Sequence, residues 1–134
     1  EKPFALLLLD VDNFKQTNDR YGHPKGDAVL RCLGENLSGL FRRDDVVGRV
    51  GGDEFLMMMP GAGGEQAVGR ARKIAQEMCR SVSVQCGVDV SGSIGVVLSK
   101  PGACAYEELL RRADSALYAA KAAGKGCYRV YGGA

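Results

Sequence analysis

The stretch that most restricts what this chain can fold into is Gly51-Gly52-Asp53-Glu54-Phe55. Two short apolar runs bracket it, Val46-Val47-Gly48-Arg49-Val50 before and Phe55-Leu56-Met57-Met58-Met59 after. Strand-like runs joined through Gly-Gly predict a tight β-hairpin with both glycines at positive φ, where a Cβ would clash. The same turn sets two carboxylates, Asp53 and Glu54, beside backbone that carries no side chains. Glycines there admit a large anionic ligand, and carboxylates can hold the divalent metal such a ligand carries. The competing reading of these five residues is an ordinary hairpin whose second strand starts polar, since Gly-Gly is common in turns.

The rest of the chain favours the first reading. Phe4 to Leu9 is an unbroken apolar run, as expected of a central strand covered on both faces. Asp10 and Asp12 follow at its C-terminal end, where open α/β sheets place ligands. Carboxylates at such an edge suit Mg²⁺, with substrate phosphates completing its shell. Asp is also a good N-cap and a helix is expected to start here, so Asp10 is the metal-ligand candidate and Asp12 the structural one.

A helix is expected over Asn13 to Arg20, with Phe14 as its apolar contact, and a break at Tyr21-Gly22-His23-Pro24. A second helix opens near Gly26-Asp27 and shows Val29, Leu30, Leu33, Leu37 and Leu40 on one face. His23, the only histidine, reads as a turn residue, because no nucleophile or metal cluster surrounds it. Arg42-Arg43-Asp44-Asp45 is by default a solvated loop of charges. Met57-Met58-Met59 is most simply core strand. Beyond the hairpin we expect a helix over Glu65 to Arg80, strand material at Val82 to Cys86 and Val88 to Leu98 around Gly87, and a helix over Tyr106 to Ala123. Gly124 ends that last helix between Lys121 and Lys125, and Cys127 to Tyr131 forms a closing strand. The order β-α-α-β-β-α-β-α-β predicts an α/β sandwich: a mainly antiparallel sheet with helices against it. No P-loop and no Gly-x-Gly-x-x-Gly occurs, so a nucleotide would be held in some other way.

Composition bounds the partners. The 134 residues suffice for one domain, and a formal charge of +2 makes no case for nucleic-acid polymers or membrane surfaces. The longest apolar run is far too short to span a bilayer, and no signal-peptide pattern precedes it. The chain opens at Glu1 without Met and is read as one domain, residues 1–134, of a longer protein. Five scattered cysteines without a Cys-x-x-Cys pair point to free thiols in a reducing cytoplasm, not to a disulfide framework or a zinc site.

Several separated motifs, in one order, then carry a resemblance. They are Leu9-Asp10-Val11-Asp12-Asn13-Phe14-Lys15, Asn18-Asp19, Tyr21-Gly22-His23, Gly26-Asp27, Gly48-Arg49-Val50-Gly51-Gly52-Asp53-Glu54-Phe55, and the late run from Arg112 to Lys125. Together they resemble the GGDEF domain of bacterial diguanylate cyclases over nearly the whole chain.

The resemblance implies a nucleotide-cyclase palm, related to ferredoxin-like sandwiches, with a five-stranded sheet. It implies condensation of two GTP into cyclic di-GMP and two pyrophosphates. Asp10, Asp53 and the carbonyl of Val11 would hold two Mg²⁺ or Mn²⁺ ions, and Glu54 would assist the metal site or help deprotonate the attacking 3′-hydroxyl. Asn18 and Asp27 would hydrogen-bond the guanine edge. Phe14, Lys15, Gly51, Gly52, Lys121 and Lys125 would complete the GTP site, the lysines facing the phosphates. Arg42 and Asp45 fall at the spacing of the family's product-inhibition site for cyclic di-GMP. Lys73 stands about where that site usually has an arginine. The family's Asp-x-Leu-Thr-like segment ahead of the first strand has no counterpart here, so weak dimerisation and weak activity of the isolated domain are expected.

The chemistry suits these residue types. Attack of a ribose hydroxyl on an α-phosphate needs charge neutralised on attacking and leaving oxygens alike, which is work for two metals. A carboxylate that accepts from guanine N1–H and N2–H₂ discriminates against adenine, whose edge lacks that donor pair. One domain carries half of the reacting pair, so active protein should be a dimer of two such domains. The rival readings are a non-catalytic receptor for cyclic di-GMP or GTP on the same fold, and a cyclase for another nucleotide, which the Asn18/Asp27 pair disfavours.

Overall fold

An unbroken run of apolar side chains demands cover on both sides, and in the computed structural model Phe4–Leu9 receives it. The structure describes residues 2–133. Its elements are β1 (Phe4–Val11), α1 (Phe14–Tyr21), α2 (His23–Leu40), β2 (Val46–Arg49), β3 (Glu54–Pro60), α3 (Gly64–Lys73), a π-helical turn (Ile74–Met78), α4 (Cys79–Cys86), β4 (Gly92–Ser99), α5 (Tyr106–Ala122) and β5 (Tyr128–Val130). The five strands lie in the order β2-β3-β1-β4-β5. The three pairings from β2 to β4 are antiparallel; β4 and β5 run parallel, with α5 as the crossover. This is the α+β sandwich expected, with a mixed, mainly antiparallel sheet.

Side-chain alternation on β1 splits the core in two. Ala5, Leu7, Leu9 and Val11 enter the larger cluster, which α2 and the α3–α4 helix close with Leu33, Leu37, Ile74 and Val82. Leu6 and Leu8 point the other way, into a smaller cluster under α5 with Leu109, Ala113 and Leu117. Strand β4 takes glycine where α5 crosses it: a Cβ on Gly95 would come within 2.3 Å of Ala113 O and 2.6 Å of Leu117 N. Helix α5 can therefore lie directly on the sheet, and its C-terminal half reaches the end of β1.

Four local expectations need correction. Val82–Cys86 is helical, not a strand. The sequence Val-Ser-Val-Gln mimics a period of two, but Val82 is buried while Val84 is 79% exposed, because the helix begun at Gly64 continues through the π-helical turn. It stops at Gly87, whose positive φ of 72° and N–H bond to Ser83 O end the helix in the left-handed manner. Val88–Ser91 is likewise connection, and β4 starts at Gly92. Helix α2 begins at His23, earlier than expected, since a proline fits the first helical turn, where its missing N–H has no partner to lose. Finally, the hairpin between β2 and β3 is not a two-residue turn. Residues 50–53 span it, closed by Val50 N–H on Glu54 O at 3.0 Å, and neither glycine adopts positive φ.

Candidate active site

Strand register brings the acidic residues together. On β1 and β3, Asp10 stands opposite Glu54, and both have the parity of the residues that face α5. Asp53 precedes Glu54, and its backbone oxygen accepts the Val11 N–H at 3.1 Å, which fastens the hairpin turn to the end of β1. The turn itself is drawn in by Arg49. Its guanidinium donates to Gly51 O at 3.2 Å and to Gly52 O at 2.6 and 3.1 Å. Gly51 packs against Glu54: a Cβ there would lie 3.0 Å from Glu54 Oε1, whereas Gly52 faces open space. Here Gly51 serves close approach to Glu54, and neither glycine needs positive φ.

The electrostatics of the cluster are strained. Burial pushes the Asp10 carboxyl above its ordinary range; the hydrogen bond from Lys121 opposes this, and the neighbouring Asp53 charge adds to it. Burial also raises Glu54, followed by the charges of Asp10, Asp114 and Asp53, with Lys121 opposing. Lys121, projecting from α5, meets Asp10 Oδ2 at 2.6 Å, so a cation already answers part of this field. Asp10 Oδ1 nevertheless has no partner. Asp114 is exposed on α5 two turns before Lys121, on the same stripe of the helix, and no periodicity in the sequence marks it for this role.

Asn18 and Asp27 sit on α1 and α2, across the junction at Gly22. Among the described residues two buried side-chain oxygens lack a hydrogen-bond partner, and they are Asp10 Oδ1 and Asn18 Oδ1. Buried polar atoms are normally satisfied, so an orphan needs an explanation. Gly26 makes room for Asn18: a Cβ on it would fall 1.9 Å from Asn18 Oδ1 and 3.1 Å from the Phe14 ring. Asp27 lines an adjoining recess of about 410 Å³ with Leu30, Arg31, Gly34 and Arg49. Gly26 and Arg49 stand inside the motifs but were not assigned to the site from sequence. Both act through backbone space or backbone oxygens, which side-chain chemistry does not advertise.

Lys15 is exposed on the first turn of α1. Lys125 lies beyond α5 in left-handed backbone, φ 65°, and its ammonium donates to Asn13 Oδ1 at 2.6 Å. Asp12 is structural in its contacts, though not as an N-cap. Asn13 occupies that position, and the buried Asp12 carboxylate accepts from Ser91, Ser93 and Gly126.

The charged loop after α2 is ordered. The Asp45 side chain is wholly buried and accepts from the Arg42 N–H at 2.8 Å and its guanidinium at 3.4 Å; that guanidinium also donates to Pro60 O at 3.2 Å. Lys73 is exposed and lines a recess of about 560 Å³ between α2 and the long helix, with Glu35, Asn36 and Glu77. The helix residue that reaches the loop is Arg70, which donates to Leu40 O at 2.8 Å and stacks on the Phe41 ring at 4.9 Å. No helix among the described residues is long and apolar enough to cross a membrane, and all five cysteines are free.

Comparison with known proteins agrees over the length of the chain. The profile of the family described as "Diguanylate cyclase, GGDEF domain" matches residues 1–127. Diguanylate cyclase DgcM of Escherichia coli K12 is 39% identical over 122 residues, 91% of this chain and 29% of that protein. The chain thus spans under a third of the length of the curated relatives it matches. Among solved structures, the active GGEEF domain of a diguanylate cyclase from Vibrio cholerae superposes with a TM-score of 0.87 at 32% identity, covering 97% of this chain and 83% of that one. The GGDEF domain of DgcB from Caulobacter crescentus, in complex with c-di-GMP, gives 0.86 at 28% identity, covering 98% and 79%. Profile, identity and backbone agree on one assignment: the chain belongs to the GGDEF-domain family of diguanylate cyclases.

Proposed function

We propose that this domain condenses two GTP into cyclic di-GMP and two pyrophosphates. The observation that carries the reading is the pair of orphaned oxygens, one on Asp10 among carboxylates and one on Asn18 in a recess relieved by Gly26. The first awaits a cation and the second a hydrogen-bond donor.

The residues fit a divalent metal. Among the described residues no three His, Cys, Asp or Glu side chains form a ready-made cage. Mg²⁺ is commonly held by one or two carboxylates with substrate phosphates, so Asp10, Asp53 and the Val11 carbonyl would suffice for two Mg²⁺ or Mn²⁺ ions. Such ions, when bound, neutralise charge on attacking and leaving oxygens. Everything else falls to the chain. Asn18 and Asp27 pair the guanine edge, and Phe14 flanks the recess. Gly51 and Gly52 let the phosphates approach, and Lys15, Lys121 and Lys125 face them. Glu54, raised above the ordinary carboxylate range by burial and its acidic neighbours, is suited to take the proton from the attacking 3′-hydroxyl. Each 3′-oxygen bonds to the other nucleotide's α-phosphorus as pyrophosphate leaves, which requires two domains face to face, a homodimer in the cytoplasm. Arg42 and Asp45, with Lys73 or Arg70, form the inhibitory site for cyclic di-GMP.

Pyrophosphate release from GTP with Mg²⁺, with Asp53→Ala as control, tests this. Release that the variant abolishes supports the cyclase. No release at high protein concentration, with cyclic di-GMP binding that Arg42→Ala destroys, would make the domain a receptor. Equal consumption of GTP and ATP would remove the guanine assignment.

A further inference from the structure

We propose that Asp12 is a positioning residue for the nucleotide site: it clamps the turn after α5 and thereby sets where Lys125 points. The inference rests on the reading above, in which Lys125 faces the phosphates. Asp12 is 5% exposed and both of its carboxylate oxygens accept hydrogen bonds. Oδ1 accepts from Ser93 Oγ at 2.6 Å; Oδ2 accepts from Ser91 Oγ at 2.7 Å and from the Gly126 N–H at 2.9 Å. Those donors belong to the start of β4 and to the segment between α5 and β5, so one side chain joins three pieces of chain far apart in sequence.

The turn needs such a tether. Gly124, Lys125 and Gly126 are three consecutive residues at positive φ, 120°, 65° and 62°. A lysine in that region carries a steric cost that glycine does not. Its own N–H reaches back to Ala120 O at 3.2 Å, and Gly126 N–H is held by Asp12, so the strained residue is pinned on both sides. With its backbone set, the Lys125 ammonium reaches Asn13 Oδ1 at 2.6 Å, at the junction between β1 and α1. Asp12 and Asn13 thus hold the backbone and the tip of the same lysine region, while Asp10 on the preceding strand stays open.

The test combines nucleotide affinity with amide exchange. Binding of α,β-methylene GTP with Mg²⁺ is measured for the chain and for Asp12→Ala, Asp12→Asn, Lys125→Ala and Asp12→Ala/Lys125→Ala, alongside hydrogen exchange at the Gly126 amide. Loss of a charge-assisted hydrogen bond corresponds to about tenfold or more in an equilibrium constant. Asp12→Ala should therefore weaken binding about tenfold and speed Gly126 exchange by at least about tenfold. Asp12→Asn keeps an acceptor for Gly126 and should bind within about twofold of the parent. The double variant should bind no worse than Lys125→Ala alone, since coupled groups are not additive. Effects that multiply in full, or an Asp12→Asn variant as weak as Asp12→Ala with Gly126 still protected, would overturn the proposal; the latter would mean that Asp12 acts by its charge. Gly126 exchange unchanged in Asp12→Ala would remove the clamp while leaving the proposed function intact. Normal binding by Lys125→Ala would also overturn the proposal, even with fast Gly126 exchange in Asp12→Ala, because Asp12 would then clamp a lysine that the nucleotide does not use.

Discussion

The two flanks of the C-terminal end of β1 carry the same kind of residue in opposite conditions. Toward β3, Asp10 shares a confined space with Asp53 and Glu54, meets one lysine, and leaves an oxygen without a partner. Toward β4, Asp12 is more deeply buried and satisfied by three donors. A buried carboxylate with both oxygens hydrogen-bonded is scaffold, because moving it leaves donors unpaired. A carboxylate crowded by its own kind lowers its energy only when something arrives. The difference lies in which neighbours supply N–H and O–H groups, not in the residue type. It predicts that one flank trades stability for function and the other does not.

The sharpest way to break that contrast is at Asp10. Asp10→Asn should lower pyrophosphate release by about 10³-fold or more while leaving the melting temperature equal to the parent's or higher. A coupled loss of fold and activity would erase the distinction between the flanks. At Asp12 the order reverses. Asp12→Ala should remove about 2–4 kcal/mol of unfolding free energy in urea titrations, since it strands two hydroxyls and one N–H. A third variant asks whether open polar atoms elsewhere behave as Asp10 does. Gly26→Ala should displace the Asn18 amide and cut the preference for GTP over ATP by about tenfold, read from kcat/KM for each nucleotide.

The smallest effect is in pH. Asp10 and Glu54 both titrate above their ordinary values. Their ionised forms are the disfavoured ones in the folded domain, so the folded state binds protons more tightly than the unfolded one. That contribution is complete at acid pH, below the unfolded values, and is lost as pH rises through the folded values. Without added metal, Glu54→Gln should melt roughly 1–3 °C above the parent at neutral pH, with the gain vanishing near pH 4. A gain that grew toward acid would reverse the sign and sink the account of that flank.

Much of this was legible from residues alone. The apolar run at Phe4–Leu9, the helical spacing of Leu109, Ala113 and Leu117, and Gly124 beyond α5 are local signals, and each predicted its element. The motif order identified the family and named Asp10, Asn18, Asp27 and Asp53. Local signals also misled: alternation at Val82-Ser83-Val84-Gln85 looked like a strand because four residues cannot separate a period of two from a helix already under way. Gly51-Gly52 looked like a hairpin requiring positive φ, because the Arg49 guanidinium that closes the turn from outside could not be foreseen.

What the sequence determined by itself is the list of elements and the inventory of chemistry-bearing side chains, because both depend on spacing along one chain. Tertiary structure decided which of two acids, two residues apart, stays open and which is bound. The donors that satisfy Asp12 come from Ser91, Ser93 and Gly126, brought to it by the β1–β4 pairing and the crossover through α5. No periodicity encodes that meeting, since it is set by how separate elements pack.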